Sequence, residues 1–477
     1  MKKEFLINVV LVLGLNLLIK VFFIFGIDRT VQNLLGQNAY GTYFAFLNLT
    51  YIFQIVNDFG IQNFNNKHIA SHRQLLPKYF PNILLLKALL ALFFMVLVGV
   101  SGWFLGYWQL YPGLLLAVSL NQILVALIYY LRSNISALGY YRLDSFLSIL
   151  DKLMMIIIIG MMLWVPELRR GFRIEWFAWG QFVALSSAAI LSFLFLKSKV
   201  TLSAFKVNIP FLRVLIKESK PYAVLGLFMA IYNRIDSVLL AELVSKTEAG
   251  IYASAFRLMD AGTMVGVLIS AFLLPMFVRL IKGKEPVGDL AQMVIKLMWV
   301  VGVMVAVPVI VFRLPIMEIL YKDGNLYSAN VLGFLMLPLL ALMWSTVNGV
   351  LLMAANQITQ LNKIYFVAVL INLALNSIAI PRYGAQGAAV VAGLTQWMVT
   401  LAQFRLIVKN ELIRFPALLI LQIIGLPIIS MILAYFLSQT GLTWVYSFIL
   451  SGIVTGLVSI VLGLFSPKGL INLLKNR

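Results

Sequence analysis

Hydrophobic residues occupy most of the chain in long runs, which short polar connections interrupt. Runs close to the ~20 residues that a helix needs to cross a bilayer recur along the whole sequence. The pattern predicts about fourteen membrane-spanning helices, so the predicted fold class is an all-α polytopic membrane protein. The predicted spans are residues 5–27, 42–66, 82–106, 110–136, 143–165, 174–196, 217–243, 248–280, 288–312, 327–355, 362–381, 385–408, 415–438 and 443–465.

A longer polar connection, at about residues 197–220, separates two groups of six predicted spans, and two more spans follow them. The groups resemble repeats, because AYGTYFAF (39–46) and EAGIYASAF (248–256) each open the second span of their group and align Gly41 with Gly250. Transporters are commonly built from paired repeats. We predict an N-terminal six-helix bundle (1–200), a C-terminal six-helix bundle (201–410), and two additional helices with a short tail (411–477).

The distribution of charged residues predicts the orientation of the chain in the membrane. Only 11% of residues are charged, against ~25% in average soluble proteins, yet the net charge is +20. Because Lys and Arg accumulate in cytoplasmic loops, the sequence predicts a membrane protein with both termini in the cytoplasm. No basic soluble domain is present to bind nucleic acid. The Lys and Arg residues on the predicted outer side are Arg29, Arg169, Arg170, Arg173, Lys246, Arg313, Lys322 and Arg382.

A few charged residues fall within predicted spans or at their ends, where each costs ~2.5–3.5 kcal/mol to insert. Arg257 precedes Asp260 by three positions, so the two share a helical face and can pair. Arginine can bind phosphate oxygens through two parallel hydrogen bonds. These charged residues therefore predict a cationic pocket. Ion pairs between helices are the alternative explanation for charged residues within the spans. The residues are Lys20, Asp28, Arg29, Asp58, Arg234, Asp236, Arg257 and Asp260.

Amide side chains are also frequent in the spans, and Asn57 and Asn233 neighbour the charged positions. Sugar hydroxyls need paired donors and acceptors, which amides supply. Hydrogen bonding between helices, at ~0.6 kcal/mol each, is the alternative. We predict no cofactor and no metal site, because cysteine is absent and His68 and His72 have no third ligand nearby. The sequence shows neither a nucleophile–base set nor paired catalytic carboxylates, which argues against an enzyme.

Three segments carry a resemblance to a known family. They are AYGTYFAFLNLTYIFQIVNDFGIQNF (39–64), YNRIDSVLLAELVSKTEAGIYASAFRLMD (232–260) and NLALNSIAIPRYGAQGAAVVAGLTQ (372–396). They are similar to the second helix, the seventh-to-eighth helices and the eleventh-to-twelfth helices of Wzx-type polysaccharide flippases. The segments cover about a fifth of the chain, in order and in register with the predicted spans. The chain thus resembles the multidrug/oligosaccharidyl-lipid/polysaccharide exporter superfamily.

That resemblance implies two six-helix bundles around a central cavity, a location in the bacterial inner membrane, and a cargo of undecaprenyl-diphosphate-linked oligosaccharide. It implies substrate-binding roles for Arg234 and Arg257 in the cavity and, from the first helix, for Lys20 and Arg29. Asn57 and Asn233 complete the predicted substrate-binding set. Coupling or ion-pair roles are expected for Asp58, Asp236 and Asp260.

The predicted function is that of a flippase, which carries the glycolipid to the outer face by alternating access for synthesis of a surface polysaccharide such as O-antigen. Its expected partners are the glycolipid, the bilayer and the polysaccharide polymerase machinery. A multidrug or organic-cation antiporter of the same superfamily is the alternative. That function would need an acidic cavity, and Arg234, Arg257 and Lys20 argue against it. An enzyme such as a polymerase or ligase would need an outer catalytic loop, and the sequence does not contain one.

Overall fold

A computed structural model describes residues 14, 18–61, 76–199, 208–413 and 415–465, and over these ranges its regular elements are all helices. A π-helical turn, Phe23–Asp28, leads into the long helices. These are α1 (Arg29–Asp58), α2 (Leu76–Phe104), α3 (Pro112–Ala137), α4 (Tyr141–Trp164), α5 (Ile174–Lys199), α6 (Ile209–Leu243), α7 (Lys246–Lys282), α8 (Gly288–Val311), α9 (Leu326–Ala354), α10 (Ile358–Lys409), α11 (Ala417–Ser438) and α12 (Trp444–Val461). Short helices span Tyr107–Leu110, Pro166–Arg170 and Arg313–Leu320.

Most helices follow the predicted spans to within a few residues, but α1 begins well before the predicted span 42–66, ends at Asp58 and is broken at Gly36, where φ is 79° and ψ is 170°. Ten helices of the described chain are long and apolar enough to cross a membrane, which confirms the all-α polytopic class. The two predicted spans 362–381 and 385–408 correspond to two helical segments of α10, which a kink separates where Gly384 adopts a non-helical φ of 54° and ψ of −134°. A φ of that sign suits glycine, because it has no Cβ to collide with the backbone. Most of the predicted first span, and His68 and His72, lie outside the described residues.

The chain forms two compact units, residues 1–250 and 251–477. In the first unit, α1 packs along α6 and also contacts α2 and α3, while α3 packs against α5. In the second unit, α9 packs against α10, and the two last helices, α11 and α12, pack on each other and on α8. The predicted bundles, 1–200 and 201–410, were defined by the sequence repeat, whereas these units are defined by compactness. The predicted bundles therefore stay a prediction.

The contact between α1 and the helices α6 and α7 positions much of the candidate site. Near its start, the backbone of α7 lies very close to α1. A Cβ on Gly41 would collide with the carbonyl oxygen of Lys246. A Cβ on Gly250 would in turn collide with the carbonyl oxygen of Gln37. The Gln32 amide donates a hydrogen bond of 3.0 Å to the carbonyl oxygen of Gly250. The two glycines that align in the sequence repeat therefore face each other where their helices cross.

A second set of polar contacts fixes the same corner of the first unit. The Tyr107 hydroxyl donates a hydrogen bond of 2.7 Å to Glu242, at the end of α6. The Lys246 ammonium lies 5.3 Å from the centroid of the Tyr111 ring. Phe46 of α1 stacks on Tyr107 with ring centroids 4.1 Å apart. The turn that joins α6 to α7 is therefore held by α1 and by the short helix Tyr107–Leu110.

Candidate functional site: charged side chains inside the helical units

Arg234 lies on α6 and meets an aromatic side chain of α1. Its guanidinium carbon is 4.6 Å from the centroid of the Tyr51 ring. This geometry is that of a cation–π contact, worth about 0.5–2 kcal/mol depending on how far water is excluded. Arg234 is half-buried, its neighbour Asn233 is half-buried too, and Asp236 is buried with 3% of its surface exposed. The sequence-predicted group 233–236 is thus a polar, largely enclosed stretch within an apolar helix.

Asp58, at the end of α1, forms an ion pair that the sequence analysis did not identify. Its carboxylate lies 3.1 Å from the Lys87 ammonium of α2. Lys87 also donates to the main-chain oxygen of Asn57 at 3.2 Å and lies 5.6 Å from the centroid of the Tyr130 ring. Only 6% of the Lys87 surface is exposed, so this charge is buried and compensated by a carboxylate, a carbonyl and an aromatic face.

The side-chain amide of Asn57 lies beside this ion pair. Asn57 is 98% buried, with 2% of its surface exposed. Within the described chain, neither its amide nitrogen nor its amide oxygen has a hydrogen-bonding partner. A buried amide with no partner costs roughly 1–3 kcal/mol, which a ligand or an ordered water could recover. This observation fits the predicted role of Asn57 in binding polar groups such as sugar hydroxyls.

Lys20 lies near a second group of charges, which belong to α3 and α4. The Arg132 guanidinium donates a hydrogen bond of 2.8 Å to Asp144, and the Lys152 ammonium lies 3.1 Å from Asp151. The Lys152 ammonium also lies 5.0 Å from the ring centroid of Phe23, about one helical turn after Lys20, so Lys20 lies close to this group along the chain.

The remaining predicted residues lie elsewhere. Arg29 is half-buried at the start of α1, next to Asp28, whose buried carboxylate accepts a hydrogen bond of 2.7 Å from the Tyr40 hydroxyl. Arg257 and Asp260 belong to the second unit, where both are half-buried on α7. The structure therefore brings Lys20 into a charged group within the first unit and pairs Asp58 with Lys87.

Sequence reasoning missed the pairing of Lys87, Arg132 and Lys152 with carboxylates, because the general excess of positive charge in cytoplasmic regions already accounts for such residues. A signal was available for α4, because Asp144 and Asp151 are seven residues apart and so lie on one helical face. The partners of Asp144 and Asp58 come from other helices, and linear spacing does not reveal such contacts. In the described residues no group of three or more His, Asp or Glu side chains is arranged to hold a metal ion.

The comparisons with known proteins agree with the motifs read from the sequence. Residues 3–281 match the model of the family described as polysaccharide biosynthesis protein. A search of curated proteins found no match.

Several solved structures share the fold. One is a lipid II flippase, MurJ, in an inward closed conformation, with a TM-score of 0.70, 17% sequence identity, and coverage of 96% of this chain and 98% of that chain. Another is an inward-facing multidrug resistance MATE family transporter of the MOP superfamily, with a TM-score of 0.65, 11% identity, and coverage of 84% and 98%. A third is the Vibrio cholerae MATE transporter VcmN in its bent form, with a TM-score of 0.55, 15% identity, and coverage of 84% and 97%.

The family match extends over more than half of the 477 residues, and the solved structures that share the fold are flippases and transporters rather than enzymes. The resemblance inferred from the motifs is thereby confirmed at the level of family and fold. This multi-pass membrane protein belongs to the polysaccharide biosynthesis protein family and has the fold of the MOP-superfamily flippases and transporters.

Proposed function

We propose that the protein is a flippase that moves an undecaprenyl-diphosphate-linked oligosaccharide from the cytoplasmic to the outer face of the inner membrane. The observation that carries this proposal is Arg234, a charged side chain held within an apolar helix by the Tyr51 ring. A cation is stable in such surroundings when a partner or a ligand offsets the free-energy cost of removing the charge from water. The diphosphate of the glycolipid supplies several oxygens suited to a guanidinium.

In the proposed cycle the diphosphate binds Arg234 and Arg257 while the polyprenyl tail stays in the lipid. Lys20 and Arg29 add positive charge, and Asn57 and Asn233 bind sugar hydroxyls. The protein then changes from an inward-facing to an outward-facing conformation and releases the glycolipid to the polymerase machinery. Binding drives this exchange only as far as the glycolipid has different affinities for the two conformations. Both termini are proposed to lie in the cytoplasm.

Two sources of energy fit the charged residues. The membrane potential supplies about 2.3 kcal/mol per charge per 100 mV. An ion exchanged at Asp236 or Asp260 is the second source, and Asp58 serves mainly as the partner of Lys87. An antiporter of organic cations shares the fold, but its substrate would be repelled by the proposed site cations Lys20, Arg234 and Arg257. The flippase is therefore favoured over the antiporter.

The experiment that tests the site is replacement of Arg234 in cells that depend on this protein for surface polysaccharide. We expect Arg234→Ala to abolish transport while membrane insertion stays normal, and Arg234→Lys to retain part of it, because lysine keeps the charge without the two parallel hydrogen bonds. Normal transport by the Arg234→Ala variant would contradict the proposed role of this residue. Surface glycan on intact cells is the readout, and variant abundance in isolated membranes is the control.

A further inference from the structure

The turn that joins α4 to α5 lies between two stretches that are long and apolar enough to cross a membrane, Arg142–Trp164 and Ile174–Ser198. Residues 165–173 between them therefore lie at a surface of the membrane, whichever way the chain is oriented. We call residues 165–173 the arginine turn. The function proposed above uses none of its side chains.

The arginine turn carries three exposed guanidinium groups, on Arg169, Arg170 and Arg173. No ion pair within the described residues includes any of them. Glu167 lies in the same turn and Glu175 follows it in α5, so three cations stand against two carboxylates and the net charge is one positive unit. The excess of Lys and Arg in cytoplasmic loops does not explain these arginines, because the sequence predicts this turn on the outer side.

Tryptophan side chains that face away from the protein flank the arginine turn on both helices. Trp164 ends α4, Trp176 and Trp179 lie near the start of α5, and all three are exposed. Tryptophan is enriched at the level of lipid headgroups, because its ring is apolar and its N–H bonds to polar groups. Phe172 is buried and attaches the turn to the protein. The arginines are therefore expected at the depth where the phosphates of lipids occur.

We propose that the arginine turn is a binding site for the headgroup of an anionic phospholipid. A guanidinium binds two phosphate oxygens in parallel, which a lysine ammonium does not. The net positive charge of the turn favours a lipid with a net negative charge over a zwitterionic one. An acidic protein segment would match this charge too, but the tryptophans at both ends of the turn favour a lipid. The proposal goes beyond the flippase function and does not rest on it.

Substitutions of the three arginines separate charge from hydrogen bonding. We expect Arg169→Gln, Arg170→Gln and Arg173→Gln together to weaken binding of phosphatidylglycerol about a hundredfold, because each basic residue near an anionic surface raises affinity roughly fivefold. Lysine at the same three positions keeps the charge without the parallel hydrogen bonds, and should weaken binding less than about tenfold.

The matched control removes three other exposed cations, at the end of α7. Arg279→Gln, Lys282→Gln and Lys284→Gln change the net charge equally, and no tryptophan lies beside these positions in the sequence. We expect this variant to bind phosphatidylglycerol at the arginine turn as wild type does.

The chain contains no cysteine, so a single introduced cysteine can carry a fluorescent label at a chosen position. Leu168→Cys places the label in the arginine turn, at an exposed side chain. Purified full-length protein in detergent micelles is titrated with phosphatidylglycerol, which is anionic, and separately with phosphatidylcholine, which is zwitterionic. Asp323→Cys labels an exposed turn of the second unit and reports any change that is not confined to the arginine turn.

A saturable response of the label at residue 168 to phosphatidylglycerol and not to phosphatidylcholine, weakened in the glutamine variant, supports the site. An equal response to both lipids overturns it, as does an unchanged titration in a glutamine variant that elutes as wild type does. A label that responds to neither lipid also overturns the proposal, and an acidic segment of a partner protein is then the expected ligand of the arginines.

Discussion

The guanidinium carbon of Arg234 lies 4.6 Å from the centroid of the Tyr51 ring, so a cation of α6 is stacked against an aromatic side chain of α1. The two helices pack along each other in the first unit, and Gly226 and Gly60 allow α1 and α6 to approach closely at other points of the same contact. A residue proposed to bind substrate is therefore positioned by a neighbouring helix rather than by its own helix alone.

This relationship predicts different results for two replacements of Tyr51. Tyr51→Phe keeps the aromatic face and should transport nearly as well as wild type. Tyr51→Leu removes the cation–π contact, which is worth about 0.5–2 kcal/mol, and should lower transport by about twofold to thirtyfold. Initial rates in reconstituted vesicles, normalised to protein content, measure both. Equal losses in the two variants would show that the hydroxyl, not the ring, is what Arg234 requires.

The buried pair of Lys87 and Asp58 predicts a loss of stability that a second substitution repairs. Lys87→Met leaves the carboxylate of Asp58 without its charged partner, and breaking such a pair costs about 3 kcal/mol. Asp58→Asn in the same chain removes the uncompensated charge and should restore most of the loss. Thermal unfolding in detergent of the two single variants and the double variant measures the coupling. Losses that simply add in the double variant would contradict a direct pairing.

The crossing of Gly41 and Gly250 predicts sensitivity to one added methyl group. Gly41→Ala would place its Cβ against the carbonyl oxygen of Lys246, so the two backbones must separate. We expect a lower melting temperature in detergent. Gly99→Ala is the control, because a Cβ on Gly99 meets no other atom within 4 Å, and alanine favours a helix over glycine by roughly 0.5–1 kcal/mol. Equal melting temperatures for Gly41→Ala and wild type would contradict the close approach.

The hydrogen bond from Tyr107 to Glu242 predicts a contribution to stability that is lost as the pH becomes alkaline. Burial, and then the hydrogen bond and charge of Glu242, raise the pKa of Tyr107 above its ordinary value of 10.0. Below pH ~10 the phenol is neutral in both folded and unfolded chains, and this stabilisation is fully present. Above that pH only the unfolded chain ionises readily, so stability falls as pH rises. The Tyr107→Phe variant should therefore lose less stability than wild type between pH 9 and pH 11.

Unfolding curves for wild type and Tyr107→Phe at these two pH values supply the comparison. Other buried tyrosines, including Tyr130, are present in both proteins, so the difference between the two slopes reports on Tyr107. Identical slopes would show that the Tyr107 phenol does not retain its proton in the folded state. At neutral pH the variant should be less stable by about 1 kcal/mol, the usual net value of one hydrogen bond.

Much of the fold was predictable from the sequence, because a helix that crosses a bilayer must be apolar for about 20 consecutive residues. The kink within α10 was also predicted, since one predicted span ends at residue 381 and the next begins at residue 385, and Gly384 lies between them. The glycine alignment in the repeat did indicate corresponding positions. It did not show that Gly41 and Gly250 face each other, because contacts between helices are not encoded in the spacing of one helix.

The candidate site was predictable only in part, for the same reason. Arg234 and Asp58 stood out because their neighbours are apolar, but Tyr51 and Lys87 are distant from them in the sequence. Arg132 and Lys152 follow the general excess of positive charge toward one side of the membrane, which concealed their pairing with Asp144 and Asp151. Their role depends on which helices pack together, and only the fold provides that information.

The lipid-linked oligosaccharide pool of the host, and its distribution between the two faces of the membrane, tests the central claim most directly. The measurement is made after the protein is depleted, in a strain with no second flippase for the same glycolipid. Our account predicts that complete polyprenyl-diphosphate-linked glycan accumulates on the cytoplasmic face and returns to normal when the wild-type protein is restored. An unchanged pool with unchanged sidedness would contradict the flippase function.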